Sequence, residues 1–141
     1  MEDTISKELS NLHKADILFE TVEEITGIGK ETILSKNRES RIAIARNIMG
    51  YILYKEIGFT STSTGKILKL DHSTIVYYAK MFDENYHYYT DYRDDYILIT
   101  ELFWSKFVQT EKEELDLQVK SLQSLMQKLK KRTEYLLIKN N

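Results

Sequence analysis

Apolar positions recur along this chain at helical spacing, and few residues interrupt them. Leu18, Val22 and Ile25 predict a helix over Asp16–Ile25, which Gly27 and Gly29 stop. A short helical turn follows around Glu31–Leu34. From Arg41 to about Ile57, the residues Ile42, Ala45, Ile48, Met49, Ile52 and Leu53 recur at i, i+3, i+4 and i+7, the pattern of a helix with one buried face. Gly58 ends it. The run Thr60–Thr64 then offers hydroxyl N-caps for a helix through Gly65–Leu68. After a turn at Lys69–Asp71, either Asp71 or Ser73 can cap a further helix. In that helix Ile75, Ala79, Phe82 and Tyr86 face one way, while Ser73, Tyr77 and Lys80 face the other. Two helices joined by a tight turn form a helix-turn-helix, so Ile48, Ile52, Ile75 and Ala79 are expected inside and Ser73, Tyr77 and Lys80 outside.

Beyond Thr110 the period changes. Leu115, Val119, Leu122, Met126, Leu129, Thr133 and Leu136 alternate steps of four and three, a seam of about three heptads. An intermolecular coiled coil, a helix folded back on its own domain and a solvated tail all fit this pattern. Between the halves, the stretch 86–96 is dense in tyrosine and acid and reads as a link. The expected division is an N-terminal extension (1–15), a helix-turn-helix domain (16–86), an acidic, tyrosine-rich connector (87–110) and a C-terminal oligomerising helix (111–141). The fold class is all-α: a helical bundle with a helix-turn-helix, followed by a long C-terminal helix.

Composition agrees. With 42% hydrophobic and 30% charged residues, 141 residues suffice for one domain plus an appendage, and the absence of proline favours long helices. Without cysteine there are no disulfides or thiolate ligands, and His13, His72 and His87 lack metal-ligand spacing. The acidic, polar N-terminus is unlike a signal peptide, and no apolar run is long enough to cross a bilayer; a cytoplasmic protein with no membrane partner is expected.

The net charge of −2 hides a division along the chain. Residues 1–29 carry −5, 30–80 carry +5, 81–114 carry −6 and 115–141 carry +4. A positive block between negative ones can be a local footprint for phosphate; it can equally be scattered solvated charge.

Candidate chemistry is sparse. Thr26–Thr32 holds glycine and lysine before threonine, but a phosphate-binding loop needs a glycine at position 24 and a hydroxyl at 31, and both are glutamate. A helix C-cap accounts better for Gly27 and Gly29. No nucleophile triad or carboxylate pair stands out, so no enzymatic activity, cofactor, metal or small-molecule substrate is expected.

Four short runs are more specific: Leu34-Ser35-Lys36-Asn37-Arg38, Ala45-Arg46-Asn47-Ile48, Gly65-Lys66-Ile67-Leu68 and Asp71-His72-Ser73-Thr74-Ile75-Val76. In this order and spacing, over about residues 17–85, the chain resembles the C-terminal DNA-binding domain of the bacterial replication initiator DnaA, a fold of the Trp-repressor-like kind. The resemblance implies double-stranded DNA as partner, with Asp71, His72, Ser73 and Thr74 at the major groove and Arg38 on a basic loop reaching the minor groove or nearby phosphate. Arg41, Lys66 and Lys80 would attract the backbone, and Tyr77 shares the reading face. The same residues have plainer uses: Asp71 and Ser73 as helix caps, His72 as packing in the turn, Arg38 as a solvated charge.

Two departures stand out. Where the family has arginine before its Asp-His, this chain has Leu70; and the turn looks one residue shorter, with Lys69 where the family favours glycine. The initiator's ATPase domain has no counterpart, so ATP-driven origin melting is not implied. The leading expectation is a stand-alone DNA binder in replication initiation or transcription control, borne by a phage or mobile element and homo-oligomeric through Leu115, Val119, Leu122, Met126, Leu129 and Leu136. The alternatives are a small-terminase-like packaging subunit, and a virion or interaction protein with a repurposed helix-turn-helix.

Overall fold

The chain turns where its glycines and hydroxyls interrupt the apolar period. A computed structural model describes residues 2–139, with side chains from Leu12 onward, and among the described residues there is no strand. Helix α1 (Glu2–Thr26) closes on Gly27, whose φ of 78° lets its N–H donate to Glu23 O at 2.8 Å. Thr26 Oγ1 donates back to Val22 O at 2.6 Å. Residues 2–15, expected as part of an extension, are the start of this helix, and Ala15 is already buried. Helix α2 (Lys30–Ile33) is a single turn.

Helix α3 (Ser40–Tyr51) runs directly into a π-helical segment, Ile52–Ile57, and the two together make the long amphipathic stretch expected over 41–57. Gly58, at φ 96°, ends it, and the N–H groups of Gly58 and Phe59 both donate to Leu53 O, at 3.2 and 3.0 Å. Helices α4 (Ser61–Leu68), α5 (His72–Tyr88) and α6 (Thr90–Lys139) follow.

The core gathers Leu18 and Val22 of α1, Ile33 of α2, Ile48 and Met49 of α3, Ile52 and Leu53 of the π-helical segment, Leu68 of α4 and Ile75 of α5. Ile48, Ile52 and Ile75 are buried as expected. Ala79 is only half-buried, because the contact of α5 with α3 is made by larger neighbours. Tyr78 packs on Gly50, where even a Cβ would lie 2.8 Å from the ring, and Phe82 stacks on Tyr51 with centroids 3.7 Å apart.

The segment expected as a connector, 87–110, is helical except at Tyr89. Only Tyr89 separates α5 from α6, and α6 contributes Tyr92, Ile99 and Phe103 to the core. Apolar residues four apart in an acidic segment place one side of this helix against the bundle, while Asp91, Asp94 and Glu101 stay exposed. Tyr96 donates to Glu56 Oε1 at 2.5 Å, tying α6 to the π-helical segment. Burial pushes the Tyr92 and Tyr96 phenols well up, and the Glu56 carboxylate raises both further, so both remain neutral at physiological pH.

The chain divides into two compact units, one ending at Ser105 and one beginning at Lys106. The second is the remainder of α6, in which every described side chain from Glu111 to Lys139 is exposed. Residues 140 and 141 of the expected oligomerising segment lie outside the described residues. Among the described residues no helix is long and apolar enough to cross a membrane, and no group of His, Asp and Glu could hold a metal ion.

Candidate nucleic-acid interface

The turn between α4 and α5 is shaped by Gly65, Lys69 and Leu70. Thr60 caps α4 by accepting from Ser63 N at 3.0 Å. At the other end, Leu70 N donates to Gly65 O at 2.8 Å; a Cβ on Gly65 would fall 2.5 Å from Leu70 O, so only glycine permits this approach. Lys69 takes the left-handed conformation at φ 57°, ψ 43°, the role in which the sequence comparison expected glycine. Leu70 is half-buried and packs against the core, so the position where the family carries arginine here anchors the turn.

Asp71 is the N-cap of α5: its Oδ1 accepts from Ser73 N at 3.3 Å and lies 2.9 Å from His72 Nδ1. Asp71 therefore caps the helix and holds its carboxylate beside the imidazole. Ser73, Tyr77 and Lys80 are exposed on one face of α5, as expected, and Thr74 is half-buried at its edge. Val76 shares that face and is 45% exposed. The sequence reading passed over it, although its spacing of three from Ser73 carried the signal. Lys66 is exposed on α4, which packs against α5.

Arg38 lies exposed on the loop between α2 and α3, and that loop is held by Arg46. The buried guanidinium of Arg46 donates from Nε to Ile33 O at 2.6 Å, from Nη2 to Ser35 O at 2.6 Å and Thr32 O at 3.2 Å, and from Nη1 to Asn37 O. Four carbonyls on one side chain fix the path of residues 32–37. Ser35 and Asn37 add local bonds, Asn37 N donating to Ser35 Oγ at 3.3 Å and Glu39 N to Asn37 Oδ1 at 2.9 Å.

The +5 block is thus not all surface charge. Arg46 acts inside the fold. Arg41 is exposed but turned to structural use: its Nη2 donates to Thr26 O at 2.8 Å, and its charge works against the burial that, with Asp91 and Asp94, holds the Asp95 carboxyl above the usual carboxylate range. The structure therefore gathers Asp71–Lys80 on α5 and Lys66 on the adjoining α4, sets Arg38 on a braced loop, and engages Arg41 with α1 and α6. The residues expected to oligomerise, Leu115, Val119, Leu122, Met126, Leu129 and Leu136, are all exposed on α6.

A tight turn between two packed helices, with the second helix capped by Asp71 and carrying Ser73, Tyr77 and Lys80 on its exposed face, defines an all-α helix-turn-helix domain. Residues 15–81 match the family described as "Bacterial dnaA protein helix-turn-helix", and this segment is a DnaA C-terminal-like domain. Over 67 residues, 48% of this chain and 15% of the relative, it is 31% identical to a chromosomal replication initiator protein DnaA of Pseudothermotoga lettingae. The protein of the same name from Kosmotoga olearia is 25% identical over 75 residues, 53% of this chain and 17% of that protein. The chain therefore spans under a fifth of the length of these relatives. No solved structure matches it.

Proposed function

We propose that this protein binds double-stranded DNA through the exposed face of α5, has no enzymatic activity of its own, and acts in replication initiation or transcription control as a homo-oligomer joined by the C-terminal part of α6. The observation that carries the reading is the capped start of α5, where Asp71 caps the helix beside His72, and Ser73, Tyr77 and Lys80 are exposed within a DnaA-type helix-turn-helix. Hydroxyls and an imidazole at a helix start can bond base edges or phosphates, and Val76 offers an apolar contact of the kind thymine methyl groups accept. Lys66, Lys80 and Arg38 supply backbone attraction; Arg41 is the weakest member of the expected set, since Thr26 already holds part of its guanidinium. Because Leu70 cannot donate a hydrogen bond, the site preferred by this protein differs from one read by arginine at that position.

Selection of bound sequences from random duplexes tests the proposal. Enrichment of a common sequence, with affinity that falls as salt rises, supports it. Absence of salt-dependent binding to any duplex overturns it and favours an interaction protein with a repurposed helix-turn-helix.

A further inference from the structure

We propose that the C-terminal segments of two copies pair antiparallel, centred near residue 124, an orientation that rests on the homo-oligomer reading above and specifies it. The seam of Leu115, Val119, Leu122, Met126 and Leu129 is exposed along α6, and the residues beside it decide the direction. In the heptad, Val119, Met126 and Thr133 occupy a, and Leu115, Leu122, Leu129 and Leu136 occupy d. Position g then falls on Glu111, Gln118, Leu125 and Arg132, and position e on Asp116, Gln123, Lys130 and Leu137.

A parallel pair sets each g residue against the e residue of the next heptad in the partner. Glu111 would then face the partner's Asp116, a like-charge contact made twice, and Leu125 would face the partner's Lys130. No flanking pair would be attractive. An antiparallel pair instead sets e against e and g against g. With Leu122 facing the partner's Met126 and Val119 facing the partner's Leu129, Asp116 lies beside the partner's Lys130 and Glu111 beside the partner's Lys139. Each of these opposite-charge contacts occurs twice. Leu125, exposed in the single chain, meets the partner's Leu125 at the centre, and Gln123 meets the partner's Gln123. The acidic start of the segment and its basic end, Lys128 to Arg132, are thereby matched.

The chain has no cysteine, so single cysteines report the pairing directly. Leu115→Cys and Thr133→Cys chains bearing tags of different size, mixed and oxidised, should give the mixed disulfide. Each should give little of its own, because identical positions would lie roughly 27 Å apart, beyond disulfide reach. Asp116→Lys should weaken the dimer about tenfold, and Asp116→Lys with Lys130→Asp should restore it. Self-disulfides of either variant, or a double reversal no tighter than the single one, overturn the antiparallel pairing and leave the dimer standing. A monomeric native mass for the unaltered chain overturns both.

Discussion

Arg46 shows how one residue can shape a surface without lying on it. Its guanidinium is spent on the carbonyls of Thr32, Ile33, Ser35 and Asn37, and so places the loop that presents Arg38. Arg46→Met keeps apolar bulk but leaves these carbonyls without their donor, at a cost of about 2–4 kcal/mol in urea unfolding. A loss under about 0.5 kcal/mol would contradict the bracing role. The motif containing Arg46 was visible in the sequence; its use was not, because the acceptors are backbone atoms of another segment. Lys69 carries a smaller tension. Glycine adopts φ 57° without the Cβ clash, so Lys69→Gly should stabilise the fold by about 0.5–1 kcal/mol, after its larger unfolded-state entropy is allowed for. Thermal unfolding at moderate salt checks this, and a clear destabilisation would count against the turn geometry.

At the scale of elements, the turn is the stiffest constraint. Gly65→Ala forces its new methyl into Leu70 O, so α4 and α5 must separate; a destabilisation of about 1–3 kcal/mol is expected in chemical unfolding, and neutrality would mean that the helices do not meet there. Most elements were legible from periodicity and punctuation: Gly27 and Gly58 as stops, Thr60 and Asp71 as caps, Ile48, Ile52 and Ile75 as core. The start of α6 was not. Its acid and tyrosine content reads as a link, and only the tertiary partners of Tyr92, Tyr96 and Ile99 reveal a core helix. The π-helical register of Ile52–Ile57 was equally hidden, since six residues make little more than one turn, too few to display a period of their own.

On the scale of the molecule, α6 belongs to two units. Its first part closes the bundle, so Phe103→Ala should cost about 3–5 kcal/mol, measured by thermal or urea unfolding; a cost near zero would remove α6 from the core. The later part carries the seam, and a chain ended after Ser105 should stay folded, become monomeric by native mass and lose affinity for paired DNA sites more than for a single one. The candidate interface was legible in residue type, from Asp71 to Lys80, whereas the internal use of Arg41 and Arg46 could be seen only in the folded chain. The central claim, that α5 meets DNA, is tested most directly by following backbone amide resonances as a selected duplex is added. The account predicts that perturbations concentrate at Asp71–Lys80, at Lys66 and in the loop of Arg38, leaving residues 111–139 unchanged. Perturbations confined to α6, or none at any duplex concentration, would contradict it.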